Sequence, residues 1–251
     1  MGVRTTGVWM LVLGMWWMST AMAEAHRRDY LLNQPYHTAK RGEVEVELYN
    51  DMNFSEADND ESYNSRHQVE LEYGLLDHLQ LAYYEVYEWN RSNDWERAAF
   101  KMEAQVRLAE AGQWPLDVAF YSEYKNPDGH RDVHSDEIEN KVIVSKDLGP
   151  WNLVGNWVSE KAINVHSHWE FEYTAGVSYA LTPRTRLGLE WKETLGDTEE
   201  FGVHQKDHQI FLMPAVYTSL SPHVRLLAGP AFGLTRASDD LELRSIVEVE
   251  F

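Results

Sequence analysis

A two-residue alternation runs through the chain from Gly42 onward and restricts it to strands. It is cleanest in the last stretch, Asp240 to Phe251, which reads D-L-E-L-R-S-I-V-E-V-E-F. Counting back in twos places Phe251, Val249, Val247, Ser245, Leu243 and Leu241 on one side and Glu250, Glu248, Ile246, Arg244, Glu242 and Asp240 on the other. Successive side chains of a strand point to opposite faces, so this strand has one apolar and one charged face.

The pattern repeats backwards through the chain. A first strand, about Glu43 to Phe54, opposes Val44, Val46 and Leu48 to Glu43, Glu45 and Glu47, and a second, Ser65 to Gly74, opposes Val69, Leu71 and Tyr73 to Gln68, Glu70 and Glu72. Further strands are predicted at about His78–Arg91, Ala98–Ala109, Leu116–Lys125, Glu137–Asp147, Trp151–Ala162, Ser167–Leu181, Arg184–Leu195, Asp207–Thr218 and His223–Thr235. In the third strand Glu85 falls among the apolar positions. Either a bulge turns the facing there, or Glu85 sits near the end of the apolar band. Pro214 and Pro230 cannot donate to a ladder, so a bulge or local gap is expected around them. Five short connections and six longer ones alternate between these twelve strands.

A strand that ends the chain on an aromatic residue after alternating apolar residues resembles the closing strand and assembly signal of bacterial outer-membrane β-barrels, here Phe251, Val249 and Val247. With the even strand number, the asymmetric connections and segments of about 9 to 13 residues, the resemblance extends from Gly42 to Phe251. It implies an all-β fold: a transmembrane antiparallel up-and-down barrel of about twelve strands, similar in layout to the small transporters grouped with phenol-degradation outer-membrane proteins. It also implies outer-membrane lipids and the barrel-assembly machinery as partners, and a Gram-negative outer membrane as location. A monomer without cofactor is expected. A secreted soluble barrel or sandwich is the alternative, but its apolar face would be mainly Leu, Val and Ile. Here that face carries Trp89, Trp151, Trp157, Trp169, Tyr173, Tyr179 and Trp191 towards strand ends, as in interfacial girdles. A mean hydropathy of -0.50 does not argue against a barrel, because only alternate residues would meet lipid.

Ahead of the barrel, Arg4, the apolar run Val8 to Trp17 and Ser19-Thr20-Ala21-Met22-Ala23 form the three regions of a secretory signal peptide, with cleavage expected after Ala23. Residues Glu24 to Arg41 are polar, contain Pro35 and do not alternate. They are expected to form a periplasmic N-terminal segment, with folding up into the barrel as a second possibility. The absence of cysteine fits export, and a formal charge of -19 argues against nucleic acid as a partner.

The water-facing positions are candidates for a lumen lining: Glu45, Glu47, Glu70, Glu72, Lys101, Glu103, Arg107, Glu170, Glu172, Arg186, Glu190, Arg244 and Glu248. Two readings compete. The charges could pair across strands and lock the interior, or the surplus of acids could line a wet path favouring small polar cationic or neutral solutes. A second candidate site is the alternation His130, Asp132, His134, Asp136 in one outer loop, with His166, His168, His204 and His208 by other loops; i and i+2 spacing in an extended segment could present them to zinc or copper. A barrel lipid hydrolase would set His and Ser two apart on one lipid-facing strand, and no His-x-Ser occurs in the chain. The expectation is therefore a non-enzymatic outer-membrane channel, with a structural or surface-interaction barrel as the alternative and a lipid hydrolase as a third class.

Overall fold

The computed structural model describes residues 29–54, 65–89, 94–128, 135–163, 165–202 and 208–251; the expected signal peptide, with its expected cleavage after Ala23, lies outside the described residues. Each alternating stretch forms a strand: β1 (Val44–Phe54), β2 (Ser65–Leu76), β3 (Leu79–Trp89), β4 (Trp95–Arg107), β5 (Asp117–Pro127), β6 (Glu137–Leu148), β7 (Trp151–Ala162), β8 (Glu170–Ala180), β9 (Thr185–Asp197), β10 (Ile210–Ser221), β11 (Val224–Gly233) and β12 (Leu241–Glu250). Every strand pairs antiparallel with its chain neighbours, and β1 pairs with β12, closing the sheet into a twelve-stranded barrel without edges. Two-residue turns join β2 to β3, β6 to β7 and β10 to β11 at one end, the short-turn end, and the longest connections, 55–64 and 198–209, fall at the other, the long-loop end. Gly149, between β6 and β7, sits at φ 63°, the left-handed conformation a tight hairpin turn requires.

The barrel is built inside out relative to a water-soluble one. Leu48, Leu71 and Met102 are 41%, 49% and 54% exposed, whereas Glu45, Glu47 and Glu70 are 0% exposed. The apolar side of most alternations faces outward as a belt, and most of the charges face inward. An exposed apolar surface of that extent suits lipid and not water. Aromatic groups mark both ends of the belt: Trp151 lies 4.7 Å from Tyr179 by the short turns, and Trp157, Phe171 and Phe201 cluster by the long loops. Replacing Leu48, in the middle of β1, by Arg puts a charge into this belt. Urea unfolding of the refolded barrel in lipid should show a loss of about 2–4 kcal/mol, against little change for Leu48→Ile.

Two irregularities depart from simple alternation. Val86 pairs with Ala99 but Tyr87 with Arg97, so Ala98 is an extra residue on β4, and Ala98 and Ala99 are both buried. This bulge breaks the alternation at the point where the sequence placed the start of the fourth strand, and pairing continues three residues further, to Trp95. Glu85 pairs with Phe100, on the short-turn side of the bulge, and faces outward. It is neutralised there by Arg97, whose Nε lies 2.7 Å from Glu85 Oε2, and by the Tyr83 hydroxyl, which donates to Glu85. At Pro214 and Pro230 the β10–β11 ladder pairs Leu212 with Phe232 and resumes only at Val216 with Ala228. This is the expected gap. It costs no register, because both prolines still pair across their other neighbours, with Leu189 and Leu243.

Candidate functional site

The lumen has two walls of different chemistry. On β10 and β11 the inward positions are mainly apolar: Phe211, Met213, Tyr217, Leu227 and Ala231 are buried there. Beside them in the sheet, β12, β1 and β2 carry a ladder of acids. Register places Glu250, Glu45 and Glu72 in one row and Glu248, Glu47 and Glu70 in the next. The next inward row is Ile246, Tyr49 and Gln68, and the one after it holds Asp51, whose carboxylate receives Arg244 Nε at 2.7 Å and Nη2 at 3.0 Å.

Around the rest of the wall, bases pair with acids on their own or adjoining strands. Lys101 Nζ lies 3.1 Å from Glu123, Lys125 2.6 Å from Glu137, Lys141 2.9 Å from Glu139, Lys192 2.9 Å from Glu172 and Arg66 2.6 Å from Glu88. Charge is thus sorted. Paired charges occupy most of the circumference, and the acid surplus gathers on β12, β1 and β2.

Of the two places open to the N-terminal segment, residues 29–41 occupy the interior, not a tail outside it. They enter from the short-turn end, where Asp29 meets Arg225 at 3.1 Å and Arg186 at 3.4 Å, rise to about mid-strand depth, and return to the same end, where the Gly42 N–H donates to the Gly74 carbonyl at 2.8 Å. Three consecutive N–H groups at the apex converge on one carboxylate: Leu31 N donates to Glu190 Oε1 at 2.8 Å, and Leu32 N and Asn33 N to Oε2 at 2.7 and 3.0 Å. The Asn33 side-chain amide donates to the same carboxylate at 2.9 Å and the Tyr217 hydroxyl at 2.8 Å.

Neutral amides on the wall hold the rest of the segment. Gln34 N donates to Asn156 Oδ1 at 2.7 Å while Asn156 Nδ2 donates back to the Gln34 carbonyl at 3.0 Å. Gln105 Nε2 donates to the carbonyls of Pro35 and His37 at 3.0 and 2.9 Å, and Ala39 N donates to Gln80 Oε1 at 2.7 Å. Arg107 Nε donates to Thr38 Oγ1 at 3.0 Å, and Arg244 Nη1 to the Leu31 carbonyl at 3.0 Å. Wall side chains thus partner much of the polar backbone of an irregular buried segment, as burying one requires.

Tyr30 anchors the segment sterically. Its ring lies on Gly176 of β8, where a Cβ would come within 2.6 Å of Cε1, and its hydroxyl donates to Asn152 Oδ1 at 2.6 Å. Burial pushes the Tyr30 phenol well above its ordinary value, so it stays neutral and donating across the physiological range. Gly176 is what admits the ring: only a residue without Cβ leaves the wall flat enough.

The expected lumen-lining residues have these places. Glu45, Glu47, Glu70, Glu72, Glu103, Arg186, Glu190 and Glu248 are buried on the inner face, and Lys101, Arg107, Glu172 and Arg244 are partly buried there. Glu170, the first residue of β8, is exposed at the long-loop rim. Of these, Arg107, Arg186, Glu190 and Arg244 grip the inserted segment or its first residue. Of the loop set, His130, Asp132 and His134 lie outside the described residues, as does His204; Asp136 accepts a hydrogen bond from the Asn126 amide. His208 is turned to Glu193 at 3.0 Å, and His168 to Glu199 at 3.7 Å. Phe251, at the terminus, is 75% exposed.

A reading centred on charge passed over Gln80, Gln105, Asn152 and Asn156. The signal was present: side chains that both donate and accept, at inward positions where charged residues otherwise alternate, are suited to gripping a backbone.

No family model matches the chain and no curated protein matches it. Solved structures do. The COG4313 outer membrane channel from Pseudomonas putida F1 superposes with a TM-score of 0.64 over 88% of this chain and 100% of its own, at 12% identity. A KdgM porin superposes with a TM-score of 0.59 over 82% and 99%, at 6% identity, and a structure of KdgM porin in complex with disordered oligogalacturonate with 0.55 over 82% and 98%, at 7% identity. The shared feature is the fold, that of an outer-membrane β-barrel.

Proposed function

We propose that the protein is an outer-membrane channel that passes small polar solutes, cationic or neutral, by diffusion through an acid-rich lumen, and that residues 29–41 set how open that lumen is. The observation that carries this reading is the sorting of charge. Paired charges cover most of the inner wall, and the surplus acids form one continuous stripe along β12, β1 and β2. Such a stripe concentrates cations and repels anions. The fold shared with proteins described as a porin and a channel supports the same reading.

Planar-bilayer recording on the refolded mature protein in a salt gradient tests it. The expected result is conductance with a reversal potential on the cation side, moved towards zero by Glu45→Gln with Glu248→Gln. An anion preference sinks the acidic-lumen argument and leaves the fold standing.

One observation favours a second reading, a barrel without transport: the segment that fills the short-turn half of the lumen. Deleting residues 29–41 separates the two. Conduction that appears or grows on deletion identifies a channel restricted by its own segment, and silence in both forms identifies a structural barrel.

A further inference from the structure

We propose that the glutamate ladder where the last, first and second strands meet is a binding site for a divalent hard cation, with Ca2+ as the best fit, held by Glu47, Glu70 and Glu72. One carboxylate oxygen from each of these three residues lies within 4.8 Å of the others, and all three residues are buried. Two oxygens on opposite sides of a Ca2+ ion with bonds of about 2.4 Å stand about 4.8 Å apart, so this spacing admits one ion touching all three. The donors are oxygen only, which selects Ca2+ over the softer metals that imidazole or thiolate would favour.

An independent observation points to a ligand. Glu72 is 1% exposed, and its Oε2 is sealed from solvent and accepts no hydrogen bond among the described residues. No ion pair is formed by Glu72 among the described residues, and the acids set against it are Glu45, its cross-strand partner, and Glu47 and Glu70, whose carboxylate oxygens come within 4.8 Å of its own. A buried carboxylate facing only carboxylates is costly unless a cation or a proton joins them. The neighbourhood supplies little positive charge: Arg225 reaches Glu248 at 3.5 Å but also serves Asp29. Tyr49 sits across the pair, its oxygen 2.6 Å from Glu47 Oε2 and 2.7 Å from Glu70 Oε2, and one hydroxyl proton cannot serve both fully. A second group, Glu45, Glu47 and Glu248, continues the arrangement across the β1–β12 seam. A cation here would fasten the line along which the barrel closes.

The test uses the refolded mature chain in detergent at neutral pH, stripped with chelator and titrated with Tb3+ under tyrosine excitation, which reports an ion beside Tyr49. Saturable sensitised emission that Ca2+ displaces is expected, weakened at least about tenfold in affinity by Glu72→Gln and unchanged by Glu199→Gln, an exposed loop acid. Gel mobility after graded heating gives a second readout: Ca2+ should raise the temperature of the folded-to-unfolded shift in the parent and not in Glu72→Gln. Glu72→Gln keeps shape and removes charge, and its own heat shift reports that it folds. If the parent shows no saturable emission, or emission that Glu72→Gln leaves intact, the ladder is joined by shared protons and the proposal falls. Conduction by the barrel stands or falls separately.

Discussion

Replacing Glu190 by Ala should raise the time-averaged conductance of the refolded barrel by one to two orders of magnitude. The Glu190 carboxylate accepts from Leu31 N, Leu32 N, Asn33 N, the Asn33 amide and the Tyr217 hydroxyl. Hydrogen bonds to a charged group contribute about 1.5–3 kcal/mol each, and they are not additive when they share one acceptor. Removing the acceptor leaves the apex donors buried without it, so a loss of about 3 kcal/mol from the inserted state is a modest expectation. That corresponds to about a hundredfold shift towards withdrawal. Glu190→Gln keeps one oxygen and should fall between parent and Ala. Single-channel recording reads the effect as open fraction, and protease cutting within residues 29–41 reads it independently of conduction. An Ala variant with parental conductance and parental protection would show that the segment is fixed, and that solutes, if any pass, go around it.

Arg97→Leu should destabilise the barrel by about 2–3 kcal/mol, while Arg97→Leu combined with Glu85→Leu should recover most of that loss. Glu85 faces the apolar belt, and its charge is met from outside the lumen by Arg97 Nε at 2.7 Å, with Asp128 at 3.4 Å from Arg97 Nη1. Taking away Arg97 strands an acid at the lipid face. Removing both leaves a leucine pair that lipid accepts. The pair lies towards the long-loop end of β3 and β4, so the lower part of the range that holds at the bilayer centre is expected. Urea titrations of the four proteins of this double-mutant cycle give the coupling directly. Additive losses would mean that Glu85 is solvated by headgroups and does not depend on Arg97.

Much of this barrel is legible in the sequence because a period of two is an unforgiving code: one slip turns every side chain of a strand to the wrong side. Val44 to Leu48 and Val247 to Phe251 state their facing outright. The code is silent at Ala98, where an extra residue has no chemical marker, and the alternation therefore stops short of Trp95. It is silent again on residues 29–41. Their polar, non-repeating sequence is what an exposed tail and an internal segment would both have, and the difference lies in partners up to 213 positions away, such as Arg244 for the Leu31 carbonyl. The lumen charges were legible as a set. Their division into a paired wall and an acidic stripe depends on cross-strand register, which the sequence of no single strand contains.

The path of residues 29–41, in and out by the same end, governs how the barrel can be assembled and altered. The carboxylate that accepts most from it, Glu190, belongs to the ninth strand, so capture requires that strand to stand in the wall. Because both of its ends leave through the short-turn mouth, capture needs no threading and release needs no ladder bond of β1 with β12 to break. The path therefore permits filling and emptying on a finished cylinder with the seam shut.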